Sequence, residues 1–367
     1  MKPWHVVGVV GGLVGAAVGG AVVGVAAQSA RLAAQRAGEA DPLADEQLGM
    51  LAPDREYTVA ADDGLPIAVE EVGPADGGEP ELTVVLVHGY VLDRRCWHFQ
   101  RRDLPLMTDP RVRVISYDQR SHGRSGRARL ASSTIEQLGR DLAGVLRVAA
   151  PEGPLVLVGH SMGGMTIMAL AEQYPELFLE RIKGVALIGT AAGELGKSGL
   201  SRSFLNRRNP MTRGLGRVAS WQPGLFEMVR RAGGGITRSG VRSIAFGDRK
   251  VSPYLVDLMA EMITSTPLQV VTDFLETLGT HDRYTALVGL RHCEVLVLAG
   301  DADRITPFWH SEVIARELPN AEFVRIEGAG HMVMLEQADR CTEAVRQLVR
   351  RVSGRRRAPI RPEEAEA

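Results

Sequence analysis

The sequence predicts an α/β protein: a mostly parallel sheet with helices on both faces and an inserted helical cap. Three observations carry that expectation. Continuous apolar runs alternate with segments of helical period, the pattern of strands buried on both faces. The alternation stops once, between about Ala192 and Asp282, over a stretch too long for an ordinary loop. Several runs end in glycine followed by polar residues, which puts chemistry at the carboxyl edge of the sheet.

Taken in order, Glu56–Val72 gives two strand-like runs around Asp63-Gly64, a hairpin signal. Strands are expected at 82–89, 112–118, 154–159, 182–189, 294–300 and 321–328. Helical periodicity marks 134–149, 162–174, 308–319 and 332–351. Five regions follow. Residues 1–51 form an apolar, Gly-rich anchor or signal segment plus a tether. Residues 52–192 and 283–352 are the two parts of the core, 193–282 is the cap, and 353–367 is a charged, disordered tail. No internal repeat is visible.

The bulk numbers exclude several classes. The 367 residues carry a net charge of −1 and no zinc-finger spacing, which argues against a nucleic-acid partner. Three widely spaced cysteines, Cys96, Cys293 and Cys341, make neither a disulfide framework nor a Cys-rich metal site. Val6–Ala27 is uncharged, and as a helix would reach about 33 Å, enough for a hydrocarbon core. Gly8/Gly12, Gly11/Gly15, Gly15/Gly19 and Gly20/Gly24 fit the small-xxx-small spacing of helices that associate in lipid. Membrane anchoring through residues 6–27 is the expectation, with a cleaved signal peptide and secretion as the alternative. Lys197–Lys250 holds twelve Lys/Arg against two Asp/Glu. That is the pattern of a solvated face or of attraction to anionic lipid.

Gly159-His160-Ser161-Met162-Gly163 is a G-x-S-x-G sequence between an expected strand and an expected helix, the context this nucleophile turn needs. A phosphate-binding turn would want a lysine that is missing here. A serine hydroxyl needs a base, and the base an orienting acid. The acid group follows the strand at 294–300, where Asp303 is preferred to Asp301 and Asp282 is a lesser candidate. The base is His331, which alone among nine histidines follows a late strand through a small-residue loop. His88 is expected to shape a loop. His5, His98, His122, His281, His292 and His310 have surface or packing readings, and His160 should point away from its neighbour. The oxyanion donors expected are the backbone N–H groups of Tyr90 and Met162. Met162, Met165, Met168, Phe226, Met228, Leu258, Met259 and Met262 are candidates for core or for an apolar acyl pocket.

The motifs VHGY, YDQRSHGRSG, GHSMGG, GDADRITP and GAGHMVMLE together resemble the α/β-hydrolase superfamily from about Arg55 to Val352. Serine esterases and monoacylglycerol-lipase-like members look most similar. Ser121-His122 stands where Gly-His is usual there, and Asp118 and Arg120 would be structural. The resemblance implies a serine hydrolase of carboxylic esters with apolar or lipid-like substrates, needing no metal or organic cofactor. Ser161, not Asp, at the elbow points away from epoxide hydrolases and haloalkane dehalogenases of that fold. Carbon–carbon bond hydrolase, perhydrolase and acyltransferase activities share the triad. A catalytically silent binding protein is the non-enzyme alternative.

Overall fold

Each central strand sends alternate residues to opposite faces, and the two faces belong to different hydrophobic clusters. The computed structural model describes residues 41–197 and 234–354. Its eight strands are β1 (Arg55–Ala60), β2 (Pro66–Val72), β3 (Leu82–Val87), β4 (Val112–Tyr117), β5 (Leu155–His160), β6 (Ile182–Ile188), β7 (Glu294–Gly300) and β8 (Glu322–Ile326). They form one sheet in the order β1-β2-β4-β3-β5-β6-β7-β8. β1 and β2 are the antiparallel hairpin and β2 meets β4 antiparallel; all other pairings are parallel.

Val84, Leu86, Val156, Val158, Leu296 and Leu298 face one cluster. That cluster takes in Phe99 of α1 (His98–Asp103) and Val345 and Leu348 of the last long helix, Ala338–Val352. Val85, Val87, Leu155, Leu157, Val295 and Val297 face the other. There they meet α2 (Ile135–Ala149) and α3 (Met162–Gln173). Burial on both faces explains why these strands read as unbroken apolar runs, not as polar/apolar alternation.

The cap leaves and rejoins the core at one point. Gly193 and Asp282 form an antiparallel bridge, and Arg283 N–H donates to Ala192 O at 2.6 Å. Its described helices include α4 (Gly234–Ala245) and α5 (Pro253–Ser265). After these come α6 (Trp309–Glu317), α7 (Val333–Glu336) and α8 (Ala338–Val352). The single helix expected over 332–351 is therefore two. The chain leaves helical geometry at Gln337 (φ −126°, ψ 55°), after a short helix that follows the His331 loop.

The carboxyl end of the expected tether lies on the core. Leu43 and Leu48 pack against the first cluster, and Glu46 Oε1 is 2.7 Å from His98 Nε2. The apolar segment 6–27, Phe226, Met228 and most of the basic stretch lie outside the described residues. Among the described residues no helix is long and apolar enough to cross a membrane.

One buried ion pair pins the hairpin to the core. Arg120 Nε and Nη2 donate to Asp141 on α2 at 2.5 and 2.6 Å, and Nη1 reaches Asp63 of the β1–β2 turn at 2.9 Å. Removing one partner of a buried pair leaves the other charge uncompensated. Arg120→Ala is expected to lose about 3–5 kcal/mol of stability, read as a lowered urea midpoint with an unchanged slope.

Candidate active site

The elbow forms because the chain has no side-chain bulk where it must turn. β5 runs into α3 with Ser161 between them at φ 52°, ψ −117°, outside the ordinary basins of an L-residue. A Cβ at Gly159 would lie 2.6 Å from the Gly163 carbonyl, and one at Gly163 would overlap the Val87 carbonyl of β3. Ser161 N–H donates to Ile188 O at 3.0 Å, and Thr190 Oγ1 donates to Ser161 O at 2.7 Å. The turn is thus tied to β6 on one side and packed against β3 on the other.

Asp303 and His331 follow β7 and β8. His331 Nδ1 lies 2.8 Å from Asp303 Oδ2, both residues buried. Asp303 Oδ1 accepts from the amides of Ile305 and Thr306 at 2.8 and 2.9 Å, so the carboxylate is held on both oxygens. Asp301 belongs to the turn: it pairs with Arg325 at 2.8 Å and accepts from Gly328 N–H. Asp282 sits at the neck of the cap. Ser161 and His331 line one cavity. Among the described residues no hydrogen bond joins Ser161 Oγ to His331 Nε2; free enzymes commonly hold such a pair loosely and tighten it around substrate.

Met162 N–H is the first amide of α3, and Tyr90 N–H lies in the loop after β3. No backbone carbonyl accepts from either among the described residues, which leaves both available to an oxyanion. Two histidines fix the Tyr90 loop. His88 Nε2 accepts from Gln119 N–H at 2.9 Å, and His122 Nε2 accepts from Val91 N–H at 3.2 Å. Burial pushes His88 down to about 4 and His122 to about 3, so both act as neutral acceptors. Ser121 has φ 66°, which explains why glycine suits that position, and its hydroxyl accepts from Ala128 N–H at 2.9 Å.

Sequence reasoning missed two supports. Thr306 Oγ1 is 2.8 Å from both Asp303 Oδ2 and Gly189 O and 3.2 Å from His331 Nδ1. The signal was its place three residues after the acid. His160, expected to point away from its neighbour, donates from Nε2 to the His331 carbonyl at 2.9 Å. Nothing in the sequence marked that contact, which closes across 171 residues.

The cavity measures about 210 Å³ and is almost wholly apolar. Val241 and Ile244 of α4, and Met259 and Ile263 of α5, wall it opposite Ser161. Of the methionines considered, Met259 reaches it; Met162, Met165, Met168 and Met262, like Leu258, are packed in the core clusters. The arrangement can perform nucleophilic catalysis on a carbonyl: a strained serine, a carboxylate-oriented imidazole and free amides at a helix start.

Residues 84–344 match the Alpha/beta hydrolase family. The chain is 27% identical over 246 residues to the proline iminopeptidase PfmaB of Pestalotiopsis fici, covering 64% of this chain and 80% of that protein. It is 26% identical over 279 residues to the mouse sn-1-specific diacylglycerol lipase ABHD11, covering 74% and 81%. A thermophilic esterase from Thermogutta terrifontis superposes with a TM-score of 0.62 at 30% identity, covering 81% of this chain and 99% of that one.

The Asp303–His331 contact sets the tautomer that leaves Nε2 free to accept a proton. Asp303→Asn keeps the shape and reverses that preference. Labelling of the folded variant by a fluorophosphonate probe is expected to slow by roughly 10³–10⁴-fold. An unchanged labelling rate would remove Asp303 from the relay.

Proposed function

The chain belongs to the alpha/beta hydrolase family, and from that premise we propose that it is a serine hydrolase that cleaves carboxylic esters of apolar acyl groups. The observation that carries this reading is the apolar cavity that ends on Ser161 and the Asp303-bound His331. His331 takes the Ser161 proton as Oγ attacks the ester carbonyl. The amides of Tyr90 and Met162 receive the oxyanion, and Asp303 steadies the imidazolium. His331 returns the proton to the departing alcohol. It then draws a proton from water, whose oxygen attacks the acyl-enzyme and releases the acid.

The lining supports an acyl chain over a peptide or a charged group. A polar substrate would leave its hydrogen-bonding groups unpaired against Val241, Ile244, Met259 and Ile263. The esterase and diacylglycerol-lipase relatives are consistent with that choice; the iminopeptidase relative shows that the same family also serves amide substrates. The apolar segment 6–27 would hold the enzyme at a membrane, where lipid-like esters are supplied.

The test uses the full-length chain in detergent, with p-nitrophenyl esters of increasing chain length beside monoacylglycerols. Medium-chain esters are expected to be turned over fastest, and Ser161→Ala to lose at least about 10³-fold in kcat. Equal turnover by Ser161→Ala would end the acyl-enzyme on Ser161. Preference for a vinylogous diketone, or for an alcohol acceptor over water, would move the assignment to carbon–carbon hydrolysis or acyl transfer. For the anchor, the intact chain is expected in the pellet after a carbonate wash, with Val6–Ala27 retained by mass. Its release into the supernatant would favour a cleaved leader.

A further inference from the structure

We propose that Glu336 is a positioning residue that clasps the cap to the His331 loop, so that seating of the cap and alignment of the base are one event. The inference rests on His331 being the general base.

Three amides from two distant segments converge on this carboxylate. Oε1 accepts from Gly247 N–H at 2.9 Å and Asp248 N–H at 2.6 Å, both in the turn after α4. Oε2 accepts from Gly330 N–H at 2.6 Å, one residue before His331, and from Gly247 N–H at 3.1 Å. The two backbones touch directly beneath it. A Cβ at Gly330 would lie 2.5 Å from Gly247 N and Phe246 C, so neither strand of the contact has room for a side chain. Without the carboxylate, three converging N–H groups would face one another with no acceptor between them. The break between α7 and α8 follows immediately on Glu336, which ends the short helix with its carboxylate in this bridge.

The clasp lies at the end of the helix that walls the acyl cavity. Val241, Ile244 and Ala245 of α4 line that cavity, and Ala245 O accepts from Met332 N–H at 3.0 Å. The Arg304 guanidinium, on the acid loop, donates to Ser243 O. The carboxyl end of α4 is therefore tied to the acid loop and to both neighbours of His331, and Glu336 makes the most numerous of these ties. A displacement of α4 is transmitted to the base through Gly247 and Gly330, and near-attack geometry tolerates little of it.

The experiment compares wild type, Glu336→Ala and Glu336→Gln in the full-length chain, using a short, soluble acetate ester that leaves the α4 wall largely uncontacted. Glu336→Ala is expected to lower kcat by about tenfold or more with KM changed less than about threefold. Glu336→Gln, which keeps one acceptor oxygen, should recover part of the loss. Amide exchange at Gly247, Asp248 and Gly330 should quicken together in Glu336→Ala, while the core strands stay protected. Unchanged kcat with only a lowered melting temperature would make Glu336 a structural tie and overturn the proposal. If Glu336→Ala does not fold, Glu336→Gln decides: full wild-type kcat there overturns it as well. Absence of esterase activity in wild type would overturn the proposed function instead. The exchange measurement then still tests the clasp, and independent exchange of the Gly247 and Gly330 segments would defeat it.

Discussion

The close approach of the elbow to β3 is the constraint on which the site depends. Gly163 lies against the Val87 carbonyl with no space for a methyl group, and Gly159 lies against Gly163. Those two contacts force the chain between them through a conformation that costs on the order of 1–3 kcal/mol. The serine cannot relax because Ser161 N–H is bonded to β6 and its carbonyl to Thr190. The sheet therefore supplies rigidity to its own carboxyl edge, where Met162 N–H, the first amide of α3, has no backbone carbonyl acceptor among the described residues. Parallel pairing of β3, β5, β6 and β7 brings the Tyr90 loop, Ser161 and Asp303 to the same edge without long-range adjustment.

Burial sorts the histidines of this edge by partner. His88, His122 and His160 are buried with backbone partners, and loss of hydration holds each below the ordinary imidazole range. Such rings serve as fixed neutral donors and acceptors that shape the loop after β3 and hold the His331 carbonyl. His331 is the one among them with a carboxylate on its ring, at 2.8 Å. A carboxylate there orients the ring and fixes which nitrogen carries the hydrogen. Four imidazoles at one edge are thereby given different tasks by what each nitrogen touches.

The sequence makes legible what is local or periodic. Strand positions, the elbow and the order Ser161, Asp303, His331 are readable because turn chemistry and burial leave marks within a few residues of each other. Asp303 reads ahead of Asp301 because the residue nearer β7 suits the turn, and in the structure Arg325 and Gly328 engage Asp301 while Asp303 lies on His331. What stayed hidden closes across long loops. The sequence places His160 only relative to its neighbour Ser161, whereas its ring is engaged by the carbonyl of His331. Glu336 lies inside an apparently continuous helical pattern, and its bonds to the turn after α4 join segments far apart in sequence. Ser121 shows the reverse case, where a departure from the family pattern proved tolerable. Its positive φ is strained for a side chain, and its hydroxyl takes up the Ala128 amide in partial compensation.

The cap does more than cover the site. Val241 and Ile244 of α4 and Met259 and Ile263 of α5 line, together with Ser161, a cavity with little polar surface. On the proposed function, filling that cavity with an acyl chain would displace water from around the amides of Tyr90 and Met162. In the lower dielectric that would result, these amides would act on the developing charge more strongly than they could in water. Binding of the chain and stabilisation of the transition state would thus draw on the same surface. A substrate too short to fill the cavity leaves water beside the oxyanion and weakens the electrostatic term. On the proposed reading, one too long would push α4 and, through the Glu336 bonds to Gly247 and Gly330, disturb the loop that carries His331. Chain-length preference would then appear in kcat as well as in KM, because the wall that measures the substrate is joined to the group that moves the proton.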